Sequence, residues 1–395
     1  MISRRDIKLY KKGLASHAVS WPKDRKKRNY CFEFRKELAE FFCNKDIFLL
    51  GKGRQSLHLI FDSVSFPPGS EIIIPNYYLK SLVPLIEAKG LIPAFCDIDQ
   101  KNLSCDPEDI LFKINQNTAF VIICHTFGLC GNIKEIIERI KNKKKDVLII
   151  EDCAHAFGAE YENQKLGTFG DFSFFSFNYI KTLTTLEGGA LLVNNKVFMG
   201  KIKESYCLYS FPGKKQTFKK ILFYYLLLIT FNSPFLYLLK WALRKKKLKR
   251  IIKNWYHSDR KNKGKEKLSP FLAYIGYHQL KLFEEKQKEL SRVLQWYKEY
   301  LKVSVWQKRP LGYNSRHSNY CLILLSEKES SEAEKRLSKK NIDVGIKDEI
   351  LDLCGEAKDL KNSKKVFEES LQAPLYHSLS ENELKKISLE INKII

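Results

Sequence analysis

The chain lacks several features that would fix its class at once. Its ten cysteines form no Cys-x-x-Cys pair, and no His, Cys and Asp set stands at ligand spacing, so a metal site is not expected. Cys96, Cys124 and Cys153 lie inside apolar strand-like runs, the pattern of reduced, buried thiols. The basic start, Ser3-Arg4-Arg5 through Lys11, Lys12 and the Lys23 to Arg28 cluster, lacks the apolar stretch of a secretory signal, and a cytoplasmic chain is expected. There is no internal repeat and no low-complexity tract beyond lysine runs. No RNA- or DNA-binding module motif is present, so nucleic acid is not an expected partner. Acidic residues are missing altogether from Ser205 to Ser258.

What is present is globular in composition: 395 residues, 44% hydrophobic and 29% charged. That length suits a large domain with a smaller companion. The formal net charge of +24 asks for an anionic neighbour, a nucleic acid, an acidic membrane surface or a phosphorylated substrate. Lysine beside glutamate in every helix-like segment reads more simply as a solvated surface.

From Ile47 to Asn195 short apolar runs alternate with amphipathic segments, the signature of strand-helix-strand units and a mostly parallel, buried sheet. Strands are expected at Ile47–Leu50, Glu71–Pro75, Ile92–Asp97, Ala119–His125, Val147–Asp152, Phe172–Phe177 and Gly189–Val193. Helices are expected at Ser56–Ser63, Leu79–Lys89, Pro107–Ile114 and Ile133–Lys141. After Leu268 the spacing predicts one long helix, Pro270–Lys302, a strand at Asn319–Leu325, a helix at Ser331–Lys339 and a last helix at Glu381–Ile394, a small α+β unit. The expected division is 1–204 for an N-terminal segment and large α/β domain, 205–267 for a basic, apolar insertion, and 268–395 for the small domain.

The chemistry concentrates at strand ends. Glu151-Asp152-Cys153-Ala154-His155 closes a buried strand, and Gly170 to Phe177, Lys181 and Glu187-Gly188-Gly189 follow. Ligands of open parallel sheets gather at such carboxyl ends. A carboxylate there with a lysine about thirty residues downstream suits pyridoxal 5'-phosphate chemistry. The cofactor ring is an electron sink only while its nitrogen is protonated, which Asp152 would maintain. The lysine must be neutral to react, and the apolar flanks of Lys181 (Phe175, Phe177, Tyr179, Ile180, Leu183) push it that way. Other readings of these residues are a surface lysine, a turn-capping aspartate, a satisfied core histidine, a structural serine and a solvated Arg54.

The stretch from about Leu50 to Asn195 resembles the DegT/DnrJ/StrS family of sugar aminotransferases. The likeness rests on Gly53-Arg54-Gln55-Ser56-Leu57, Glu71 to Pro75, Asp97-Ile98-Asp99, His125-Thr126-Phe127-Gly128, Glu151-Asp152, Gly167, Gly170-Asp171 and Ser176-Phe177 before Lys181. It resumes at Ser269-Pro270-Phe271 with Ala273, Gly276, Gln279 and Leu280, and at Ala373-Pro374-Leu375-Tyr376. The resemblance implies a fold-type I, pyridoxal-phosphate-dependent α/β transferase, with a mostly parallel central sheet sandwiched by helices and a smaller C-terminal α+β domain. It gives Lys181 the covalent attachment of the cofactor and the proton transfer, Asp152 the pyridine nitrogen, Ser176 the phosphate, and His155 the ring and its phenolic oxygen. The turn of Gly53, Arg54, Gln55 and Ser56 opens a helix whose N–H groups can cradle the same phosphate.

Departures from the family pattern are visible too. Arg54 replaces the usual threonine and could pair with phosphate directly. The ring-stacking aromatic aligns with Leu79, which leaves that role to Tyr78, to Tyr77 or to no residue. Lys263-Gly264-Lys265-Glu266-Lys267 replaces the block that reaches the neighbouring subunit's cofactor.

The function implied is transfer of an amino group from L-glutamate to a keto sugar on a nucleotide, for surface polysaccharide or lipopolysaccharide synthesis, by a homodimer. A sibling reaction, sugar dehydration, uses histidine in place of the lysine and is disfavoured by Lys181. The rival outside enzymology is a non-catalytic fold serving as a membrane-associated scaffold or regulator. In the insertion, Ile221–Leu243 is apolar between Lys219-Lys220 and Arg244 to Lys247, but Asn232-Ser233-Pro234 divides it. Two helices lying on an anionic membrane face fit better than a span, with a buried contact as the third reading.

Overall fold

The computed structural model describes residues 2, 24, 26, 28–213, 215–222, 265–302, 314–325, 330–345, 352–355 and 360–394. At its centre lie seven strands: β1 Asp46–Leu50, β2 Glu71–Pro75, β3 Ile92–Cys96, β4 Thr118–Cys124, β5 Leu148–Asp152, β6 Phe172–Ser176 and β7 Gly189–Val193. Their order is β1-β7-β6-β5-β4-β2-β3. β7 runs antiparallel to both β1 and β6, while the other neighbours are parallel. The expected mostly parallel sheet is therefore present, and all seven expected strands occur within a residue or so of their expected bounds.

The central strands are apolar throughout because helices cover both faces. Ile149 and Ile150 of β5 are both fully buried and belong to the two opposite core layers. On one layer, Phe42, Phe157 and Phe175 meet at ring separations of 4.9 to 5.7 Å. Each such phenylalanine contributes about 1.5–3 kcal/mol by leaving water. Helix α1, Tyr30–Phe41, packs against α4, introduced below, through Tyr30, Phe34 and Leu38, an i, i+4, i+8 stripe. Helix α2, Gln55–Ser63, follows the glycine turn, and α3, Ile133–Lys143, begins where the Asn132 side chain accepts the Glu135 N–H.

Several expectations are corrected. Leu79–Lys89 is a short 3-10 turn, Lys80–Leu82, followed by a helix Val83–Glu87. The single long helix is two, α4 Pro270–Lys281 and α5 Phe283–Tyr300, broken at Leu282 (φ −98°, ψ 5°). Pattern could not see this break, because apolar spacing continues across it and no glycine or proline marks it. The strand expected from Asn319 starts at Leu322, since Asn319 adopts φ +54° and cannot continue a ladder. With α5, helices Ser330–Lys339 and Glu381–Asn392 and the ladder Leu322–Leu325 with Ser370–Ala373 build a separate apolar core, while Val366 of the helix Lys361–Glu369 packs in another cluster with Tyr77, Phe127 and Tyr320.

The C-terminal elements are tied to the sheet by polar anchors. Asp97 accepts the Ser363 N–H at 2.7 Å, the Ser363 hydroxyl at 2.6 Å and the Asn362 N–H at 2.9 Å, capping the helix Lys361–Glu369. Asp352–Leu353 pairs with Tyr77–Tyr78. No helix among the described residues is long and apolar enough to cross a membrane. The apolar stretch expected at the membrane, Ile221–Leu243, lies outside the described residues except for 221 and 222.

Candidate active site

Asp152 and Ser176 are the last residues of β5 and β6, His125 follows β4, and Tyr78 stands three residues past the end of β2. Four adjacent parallel strands thus deliver polar side chains to one end of the sheet. Asp152 is buried. Its Oδ2 accepts the Tyr78 hydroxyl at 2.7 Å and its Oδ1 accepts the Ala154 N–H at 2.9 Å. Burial pushes the Asp152 carboxyl above the usual carboxylate range, against the pull of Tyr78, Ala154, and the charges of Lys181 and His125. A carboxyl so placed gains most from a cationic partner. Tyr78 is itself fully buried, and its hydroxyl is held far in the neutral form by burial and by Asp152.

Lys181 is buried too, and the tight turn that carries it is closed by its own N–H donating to the Asn178 carbonyl at 2.8 Å. Its Nζ lies 4.8 Å from the centroid of the Tyr320 ring. Tyr320 in turn stacks on His155 at 4.3 Å, and the His155 ring lies nearly parallel to that of Phe127 at 5.8 Å. His155 Nδ1 accepts the Phe127 N–H at 3.2 Å, which places the proton of the neutral ring on Nε2. Lys286 of α5, buried, donates to the Thr182 carbonyl at 2.6 Å, next to Lys181.

The glycine turn lies against β6 and β7. A Cβ on Gly189 would come 2.5 Å from the Gly53 Cα, and one on Gly53 would come 3.1 Å from the Ser176 Cβ. Position 189 therefore requires glycine for the turn to approach β6, and a side chain at 53 would crowd Ser176. Gln55 is buried, and its Oε1 accepts the Lys52 N–H at 3.0 Å, shaping the turn. The hydroxyl of Ser56, buried in the first turn of α2, has no hydrogen-bond partner among the described residues. An orphaned hydroxyl at a helix start is suited to phosphate, beside a turn whose Gln55 and Ser56 N–H groups donate to the Lys52 and Gly53 carbonyls at 3.1 and 3.0 Å. Arg54 is exposed on the outer side of this turn.

The structure thus brings Asp152, Tyr78 and the charge of Lys181 together at one strand end, and Gly53, Gln55 and Ser176 at the neighbouring one. His155 joins the first group through Tyr320. Of the two tyrosines considered for the ring, Tyr78 bonds Asp152, while the Tyr77 ring lies 6.2 Å from Phe127 and 6.3 Å from Phe367. Sequence reasoning missed Tyr320, the Ser56 hydroxyl, Lys286 and the role of Glu151. Glu151 is fully buried and accepts the N–H groups of Gly167, Phe169 and Gly170 at 2.7–2.8 Å and His125 Nε2 at 3.0 Å. His125, Glu151 and Cys153 offer one donor atom each within 4.8 Å, but the Glu151 oxygens are taken by those donors, which makes it an anchor for the Gly167–Gly170 loop.

The sequence and the fold have parallels in known proteins. The GDP-perosamine synthases of Vibrio cholerae and Escherichia coli O157:H7 are each 34% identical to the chain, over 44% and 43% of it respectively and 46% of each relative. The matched region thus spans about half the length of these curated relatives. Similarity to the spore coat polysaccharide biosynthesis protein SpsC of Bacillus subtilis is lower, 22%, but covers 92% of the chain and 89% of the relative. Among solved structures, the aminotransferase TlmJ from Streptoalloteichus hindustanus superposes with a TM-score of 0.75 at 18% identity, covering 100% of this chain and 98% of that one. The profile of the DegT/DnrJ/EryC1/StrS aminotransferase family matches residues 25–392, and the chain belongs to that family, whose members depend on pyridoxal phosphate.

Proposed function

We propose that the chain is an aminotransferase that moves an amino group from L-glutamate to a keto sugar carried on a nucleotide, in the synthesis of a surface polysaccharide or lipopolysaccharide. The observation that carries this reading is the buried Asp152 carboxyl, oriented by Tyr78 and Ala154 within the field of the Lys181 ammonium. When bound, pyridoxal 5'-phosphate supplies the electron sink for breaking the bond at the amine-bearing carbon. Asp152 holds a proton on the ring nitrogen. Lys181 Nζ takes the proton from the substrate carbon and returns it. Ser176, the Ser56 hydroxyl and the turn from Gly53 to Ser56 hold the phosphate, with Arg54 reaching it from outside. His155, with its proton on Nε2, and Tyr320 wall the ring side and exclude water.

In the same proposal residues 1–204 are the cofactor-binding part, 268–395 the smaller part, and two copies form the working enzyme with the site near their interface. The sugar class is supported by the relatives named for perosamine and spore-coat polysaccharide synthesis. Other relatives are named L-glutamine:2-deoxy-scyllo-inosose aminotransferases, 30% identical over 38% of this chain in Streptomyces kanamyceticus, so glutamine is the second donor to test. The experiment is a panel of keto-sugar nucleotides offered with glutamate or glutamine to the cofactor-loaded protein. The reading expects release of the donor's 2-oxo acid together with an amino sugar. No turnover of any keto sugar by a protein that binds the cofactor through Lys181 would overturn it in favour of a scaffold role.

A further inference from the structure

The helix over residues 215–222 turns an apolar and basic face to solvent. Its inward face sets Ile221 against the apolar core and is pinned by polar contacts. Lys220 Nζ lies 3.0 Å from Glu187 and 3.8 Å from Glu266, and Gln216 Nε2 donates to Glu266 Oε1 at 2.8 Å. Its outward face carries Lys215, Phe218, Lys219 and Leu222, an i, i+3, i+4, i+7 set, all exposed. Phe218 is 65% and Leu222 43% exposed, and Leu208 and Phe211, just before the helix, are 69% and 52% exposed. Large apolar side chains gathered this way mark a surface that something covers.

Charge decides what covers it. From residue 205 to 258 the sequence holds twelve Lys and Arg and not one Asp or Glu. In a two-fold dimer an isologous patch meets its own copy. Such a patch would set lysine against lysine, so a second copy of this chain is a poor occupant. An anionic lipid surface satisfies both halves of the face, with aromatic and aliphatic side chains entering the headgroup boundary and lysines pairing with lipid phosphates. We propose that the outward face of the helix 215–222 seats the protein on an anionic membrane surface. The sequence that follows, apolar from Phe223 to Leu239 and then basic, continues the same composition. The anchor points toward the cofactor turn. Glu187 also pairs with Lys52 at 3.4 Å, and Glu266 accepts the Gly51 N–H at 2.8 Å, so the seated helix is fastened to the loop that leads into α2.

The test is co-sedimentation of the full chain with vesicles of phosphatidylcholine alone and of phosphatidylcholine with phosphatidylglycerol at 1:1, alongside analytical ultracentrifugation. The wild type is expected to bind the anionic vesicles, with binding falling as salt rises, and to ignore the neutral ones. Phe218→Asp with Leu222→Asp should lose at least about tenfold of that affinity. Lys215→Glu with Lys219→Glu should lose about 25-fold or more, from about fivefold per lysine. Phe112→Asp, at a still more exposed phenylalanine on the helix Pro107–Lys113, should bind like the wild type. Three results would overturn the proposal: no binding by the wild type, equal binding to neutral vesicles, or face variants that keep vesicle binding and change only the oligomeric mass. Amino transfer is not read in this experiment, so its outcome stands apart from the enzymatic reading.

Discussion

At the scale of single residues, Asp152 sets function against stability. Burial raises its pKa in the folded chain above the unfolded value, so between the two values the folded form binds more protons and stability falls as pH rises; above the folded value the penalty is complete. Asp152→Asn removes that penalty. The cofactor-free variant at pH 7 is expected to melt higher, by about 2–4 °C for each kcal/mol relieved, and its midpoint should vary less with acid pH than that of the wild type. It should also bind pyridoxal 5'-phosphate at least about tenfold more weakly. Thermal melts between pH 4 and 7 with a cofactor titration check both, and a variant that melts lower with unchanged cofactor affinity contradicts the assignment. Glu151 behaves in the opposite way, because removing its charge strips three backbone N–H groups of an anionic acceptor in a fully buried place. Glu151→Gln should cost about 3–5 kcal/mol in denaturant unfolding, and a loss below about 1 kcal/mol would show that the loop has other support.

At the scale of elements, the seven strands were legible because each is an uninterrupted apolar run that the buried parallel sheet requires. The break at Leu282 was hidden inside a continuous apolar spacing. The two-residue strands at Tyr77–Tyr78, Glu160–Tyr161 and Gln164–Lys165 carry no pattern of their own and exist through their pairing partners. Helix α1 could have been read, since Tyr30, Phe34 and Leu38 repeat every fourth residue, but the basic residues around it masked the stripe. In the site, Asp152, Lys181, Ser176 and the glycine turn stood at readable strand ends, whereas Tyr320 reaches the site from a distant part of the chain that no local signal links to it. The turn gives the prediction at this scale. Gly189→Ala drives a methyl into the Gly53 backbone, and overpacking of this kind costs about 1–3 kcal/mol. Affinity for pyridoxal 5'-phosphate should fall about tenfold or more while that for pyridoxal, which has no phosphate, stays within about twofold. Equal losses for both, measured by fluorescence titration, would place the damage elsewhere.

At the scale of the whole molecule, the C-terminal elements close the site that the sheet opens. Tyr320 lies on His155, Ser318 donates to the His155 carbonyl at 2.8 Å, and Lys286 holds the carbonyl beside Lys181. Asp97 ties the C-terminal elements to the sheet, with its carboxylate on the first turn of the helix Lys361–Glu369. Asp97→Ala should lower hydrogen-exchange protection of that helix by about thirtyfold, the equivalent of about 2 kcal/mol, while β5 and β6 keep theirs; a uniform loss across both parts would mean that Asp97 supports the fold as a whole. The central claim, that Lys181 and Asp152 meet one cofactor, is tested most directly by borohydride reduction of the cofactor-loaded protein followed by peptide mass spectrometry. The account predicts the phosphopyridoxyl mass on Lys181 at about one per chain, and much less of it in Asp152→Asn at limiting cofactor. Label on a different lysine, or none on Lys181 at saturating cofactor, would contradict it.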